Sequence, residues 1–111
     1  MHLVEQRGDA VIIHVKDDLD LTSAPILAST IELAEVCSGT RIIIAMENCR
    51  FCDAAGLSVL AVAHKRNGLH FFVVLPEEAP CRRTFTATGF ATLLQLVPTL
   101  QRALDVQIGA V

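Results

Sequence analysis

The sequence predicts an α/β domain with a mostly parallel or mixed sheet of four to five strands and about four helices. Three observations carry that expectation. Short β-branched runs alternate with segments of helical period, as a chain built from strand–helix–strand units requires. The strand-like runs at 40–48 and 69–76 are almost continuously apolar, the mark of strands covered on both faces. The 111 residues suffice for one core and not for two, so a single domain over 1–111 is expected.

Element by element, "DAVIIHVKD" (9–17) reads as a strand with Val11, Ile13 and Val15 on a dry face and Ile12, His14 and Lys16 on the other. An extra strand is possible at 2–6. The period then changes: Thr22 or Ser23 can cap a helix, Pro25 suits its first turn, Leu27, Ile31 and Ala34 form one stripe, and Gly39 ends it. "TRIIIAMEN" (40–48) is expected to be a central strand. After it, Asp53 stands at the cap of a helix whose last turn holds His64, Lys65 and Arg66, with Asn67-Gly68 as its stop. "LHFFVVLP" is a further buried strand. "PEEAPCRRTFTATGF" reads as a short helix closing on Gly89, "ATLLQLV" as a last strand, and "PTLQRALDV" as a final helix with Pro98 in its first turn.

Composition restricts function. Apolar residues make up 52% while aromatics are 5%, with no Trp or Tyr, so the core is aliphatic. Nine Lys and Arg against twelve Asp and Glu give a net charge of −3, which offers no basic field for nucleic acid. The first ten residues lack the pattern of a signal peptide, and no apolar run is long enough for a membrane helix, so a cytoplasmic protein without membrane insertion is expected.

Catalytic patterns are missing: there is no GxSxG, Walker loop, GxGxxG or HExxH. An enzyme, a catalytic residue and a cofactor are therefore not expected. The four histidines, His2, His14, His64 and His70, are scattered, with no second His or carboxylate at metal spacing. Asp17, Asp18 and Asp20 lack the Gly and distal Glu of a calcium loop and read as a solvated turn, with Asp20 helping to cap the next helix. Cys49 and Cys52 form a CxxC at a strand end, but Cys37 and Cys81 supply no second zinc pair; reduced structural thiols are expected, with a redox or zinc role as the alternative.

Three ordered stretches resemble the STAS domain, the fold of the bacterial anti-sigma factor antagonists: Leu19-Asp20 leading to Ala24-Pro25, then Asp53-Ala54-Ala55-Gly56-Leu57, then Thr88-Gly89-Phe90. The resemblance implies a STAS-like fold and partner switching. Family antagonists bind an ATP-dependent, kinase-type anti-sigma factor, freeing a sigma factor for transcription, and lose that binding when a hydroxyl just before the Gly is phosphorylated. That position is Ala55 here. A methyl group cannot accept a phosphoryl group. Asp17 also stands where family members often carry Gly.

The resemblance implies a partner surface of Asp20, Thr22, Ser23, Asp53, Ala54, Ala55, Gly56, Leu57 and Ser58, centred on Ala55, Gly56 and Leu57. Ser58, Thr22 and Ser23 are the candidate substitutes for the missing hydroxyl, with helix-surface or capping roles as their alternatives. Asp53 is expected to occupy the free N–H groups of its helix, which disfavours an anion site there. The reading that follows is a non-enzymatic antagonist, always on or acting as a decoy, as a monomer or weak dimer. The alternative is a STAS docking subunit in a stress-sensing or lipid-transport assembly, which exposure of Phe71, Phe72, Phe85 and Phe90 would favour.

Overall fold

The structure is a computed structural model and describes residues 2–37 and 41–108, with the side chain of Cys37 outside the description. Gly39, expected to end the first helix, and Thr40, expected to open the central strand, lie outside the described residues.

Strands β1 (Leu3–Arg7), β2 (Ala10–His14), β3 (Arg41–Ala45), β4 (Phe71–Val74) and β5 (Leu96–Val97) form one sheet in the order β1-β2-β3-β4-β5. β1 runs antiparallel to β2, and the other neighbours are parallel. The expected α/β class and mixed sheet are observed, with β3 central. Helices α1 (Ala24–Cys37), α2 (Ala54–Asn67), α3 (Arg82–Ala87) and α4 (Phe90–Leu93) connect the parallel strands, and α5 (Leu100–Asp105) follows β5.

Strands added in one direction by crossovers of one hand place every connecting helix on the same face. That face holds the larger core: Val11, Ile13 and Val15 of the β2 segment meet Leu27, Ile31 and Ala34 of α1, Leu57 and Leu60 of α2, and Phe85 of α3. The opposite face is covered by α5 and the segment after it, over Ala10, Ile12, Ile43, Phe72 and Val74. The expectation of one dry face on β2 is corrected here, because α5 returns beneath the sheet and buries Ile12 as fully as Ile13. Arg41 fastens that layer: its Nη1 donates to the carbonyls of Ala103 and Leu104 at 2.7 and 3.2 Å, and its guanidinium lies 5.6 Å from the Phe72 ring centre.

Three local expectations are revised. "ATLLQLV" is a strand only at Leu96–Val97, since Gly89, at φ +81°, ends α3 and the chain makes another helical turn through Leu93. In α5 the cap is Thr99, whose hydroxyl accepts from Arg102 N at 3.1 Å, so Pro98 precedes the helix. His14 does have a carboxylate beside it, Glu5 Oε1 at 3.0 Å, supplied across the β1–β2 pair and invisible to local spacing.

Candidate functional site

Two loops leave the C-terminal ends of β2 and β3, the place where open α/β sheets present their ligand-facing loops. They are stitched to one another by backbone. Leu19 N donates to Phe51 O at 2.8 Å, and Asp53 N donates to Leu19 O at 3.0 Å, closing a parallel bridge between Leu19 and Cys52. Leu19 is fully buried, so the bridge is anchored in the core.

Each loop ends in a carboxylate that organises the next helix. Asp20 Oδ1 accepts from Thr22 N and Ser23 N, both at 3.0 Å, while Ser23 Oγ accepts from Asp20 N and donates to Asp18 O. These bonds, led by those from Ser23, hold the Asp20 carboxyl below its ordinary pKa, because they favour the charged form. Neither Thr22 nor Ser23 caps α1 through its hydroxyl, as the sequence allowed; Asp20 gathers the donors and Ser23 braces the turn. Asp53, the cap of α2, accepts from Ala55 N and Gly56 N at 2.9 and 3.2 Å. It occupies the helix N-terminus, as expected.

The second landmark has a packing reason. A Cβ on Gly56 would lie 2.5 Å from Leu19 Cγ and 2.9 Å from Leu19 O, so only glycine lets α2 sit against the first loop. Gly56 is buried there, and Leu57, in the larger core, is only 1% exposed. Gly56 and Leu57 are therefore not the centre of a surface. At this turn Ala54 and Ser58 are exposed and Ala55 and Asp53 half-buried, beside exposed Thr22 and half-buried Asp20 and Ser23. Ser58 Oγ donates to Ala54 O at 2.8 Å, the helix-surface role. The third landmark lies elsewhere: Gly89 breaks α3 from α4, and Phe90 packs against the larger core.

The surroundings of the first loop extend beyond the acidic turn legible in the sequence. Lys16, Asp17, Asp18, Asn48 and Arg50 join Asp20, Thr22 and Ser23 around an open polar cavity of about 390 Å³. Leu21 in the same loop is 76% exposed, and Phe51 in the facing loop is 50% exposed. Phe51 could have been noticed as the one aromatic lying in a loop, outside any periodic segment. The phenylalanines singled out from sequence behave as core: Phe71, Phe72 and Phe85 are buried and Phe90 is half-buried, which removes that support for a docking subunit.

The CxxC sits within the second loop, past the end of β3, and Cys49, Cys52 and Cys81 are free and buried. A hydrogen bond with Cys81 and burial push the Cys49 thiol up, leaving Cys81 the more acidic of the pair. Cys52 is pushed up to about 12, by burial first and then by Cys49 and Asp53. Both CxxC thiols stay protonated, the opposite of what a redox pair needs. Among the described residues no three His, Cys, Asp or Glu side chains converge as a metal site, and no helix is long and apolar enough to cross a membrane.

No curated protein sequence matches significantly. Among solved structures, an anti-sigma factor antagonist from Mycobacterium paratuberculosis shares 29% identity at a TM-score of 0.83, over 94% of this chain and 90% of its own. The anti-sigma factor antagonist SpoIIAA in its unphosphorylated form superposes at 0.71 with 19% identity, over 95% and 94%. A STAS domain protein from Planctomyces limnophilus does so at 0.74 with 20% identity, over 93% of each chain. The STAS domain model matches residues 2–103, and the chain belongs to the STAS domain family.

Proposed function

We infer that this protein is an anti-sigma factor antagonist that acts by binding and is not released by phosphorylation at the turn before Gly56. The partner is an anti-sigma factor of the ATP-dependent kinase type, and the contact surface is the stitched pair of loops: Asp20, Thr22 and Ser23 with Asp53, Ala54, Ala55 and Ser58. The reading is supported by family membership, by the likeness to named antagonists, and by one observation above the rest. Asp53 fixes the turn in a defined shape while the residue before Gly56 is Ala55, so the turn offers a rigid surface without a hydroxyl at that position.

The role needs no catalysis by this chain. A phosphate at position 55 would add about −1.5 to −2 charges beside Asp53, which is how a hydroxyl there could eject a partner. Of the candidate substitutes, the hydroxyls of Ser23 and Ser58 are committed to backbone carbonyls. The exposed apolar side chains of Leu21 and Phe51 flank the acidic first loop, so the partner face that fits best combines a basic group with an apolar one.

The test is purification of the tagged protein from its native cells, with mass spectrometry of partners and of modified residues. Recovery of a kinase-type anti-sigma factor on an unmodified protein supports the reading. A stable transporter or stress-complex partner without any such kinase would sink it.

A further inference from the structure

β1 forms one of the two outer edges of the sheet. Among the described residues, β1 has β2 on one side and no strand on the other. Which backbone groups it leaves open follows from the hairpin. Arg7 pairs with Ala10 across the two-residue turn Gly8-Asp9, with Gly8 at φ +60°, and such a turn is closed by a hydrogen-bonded pair. Hydrogen bonding alternates along an antiparallel strand, so Arg7, Glu5 and Leu3 direct their N–H and C=O groups to β2, and Gln6 and Val4 direct theirs outward.

The side chains at this edge are unusual for an unpaired strand. Val4 is 51% exposed and, with Gln6, lines an apolar groove of about 260 Å³ together with Val11, Thr30, Leu33 and Ala34. Leu33, on α1 beside it, is 67% exposed. On the other face of the strand lie Glu5 and Arg7, opposite in sign and two residues apart, with Arg7 Nε 3.0 Å from Glu5 Oε2. Edge strands that avoid pairing usually carry charges that repel a neighbour or are covered. Here the charges are self-complementary.

We propose that β1 is a homodimerisation edge: a second copy of this chain adds its own β1 antiparallel, in the register centred on Gln6. In that register the two Gln6 residues exchange both backbone hydrogen bonds, and Glu5 of each copy faces Arg7 of the other. The alternatives are worse. A register centred on Glu5 sets two glutamates opposite one another, a destabilising arrangement, and one centred on Val4 sets Glu5 opposite Leu3, which forfeits both ion pairs across the seam. Registers shifted by one residue set outward-facing backbone against groups already bonded to β2. The exposed Val4 and Leu33 lie beside the new seam, so apolar area is available to it. This surface shares no residue with the loop pair, and it stands or falls independently of the antagonist reading.

Sedimentation equilibrium over a concentration series reads the association directly, with circular dichroism as the check that each variant is folded. The wild-type protein is expected to dimerise reversibly. Glu5→Arg and Arg7→Glu, each setting like charges across the seam twice, should each weaken self-association by about tenfold. Mixing these two variants should restore it as a heterodimer, because one chain is then basic at both positions and the chain facing it acidic at both; a role confined to the fold of each chain would give no such rescue. Gln6→Pro removes an outward N–H without touching the β1–β2 ladder and should give a monomer. A wild-type monomer at every concentration, or a dimer that these variants and their mixture leave unchanged, would overturn the proposal.

Discussion

Two carboxylates and one glycine define the loop pair at the residue scale. Asp20 accepts backbone N–H groups in its charged form, so its folded pKa lies below the ordinary 3.8. A depressed carboxylate pKa contributes stability above the unfolded value, and that contribution is lost as pH falls from 3.8 through the lower folded value. An NMR titration is expected to place the Asp20 midpoint below 3.8, and Ser23→Ala to raise it only in part, because the Ser23 N–H, the leading donor, remains. Gly56 is a steric requirement: Gly56→Ala sets a methyl against Leu19 and is expected to cost about 1–3 kcal/mol in urea unfolding, as overpacking does elsewhere. Ala55, one residue earlier, is half-buried, and in the proposed reading its part is chemical: it has no hydroxyl.

At the scale of elements, the strands and the two long helices were legible because their signals are local: the continuous apolar runs of β3 and β4, the Leu27, Ile31 and Ala34 stripe, and Asp53 with Gly68 at the ends of α2. What could not be read depends on distant partners. Gly56 and Leu57 look like an accessible turn in sequence, yet Gly56 packs against Leu19, far back along the chain, and Leu57 turns into the larger core. The Glu5–His14 contact needs the β1–β2 register, and Arg41 at the start of β3 gives no hint that it reaches α5. That latch makes its own prediction. Arg41→Met leaves the carbonyls of Ala103 and Leu104 without their donor and should destabilise the protein by about 1–3 kcal/mol. Amide exchange is expected to rise first in α5, with the α1–α2 side less affected.

For the molecule as a whole, topology assigns the surfaces. Same-handed crossovers put four helices on one face and α5 closes the other, which leaves the strand ends and the two sheet edges, β1 and β5, outside those layers. A net charge of −3 and the acidic first loop suit a basic partner surface, so association through that loop should slow as salt is raised. If the proposed antagonist role is right and Ala55 stands at the acceptor position, a complex with a kinase-type anti-sigma factor should persist in the presence of ATP. The direct measurement is to challenge the purified complex with ATP and magnesium and follow both dissociation and phosphate incorporation. An intact complex with no phosphate is expected for the wild type, while Ala55→Ser should become phosphorylated and be released. Release of the wild type with phosphate on Thr22, Ser23 or Ser58 would contradict it.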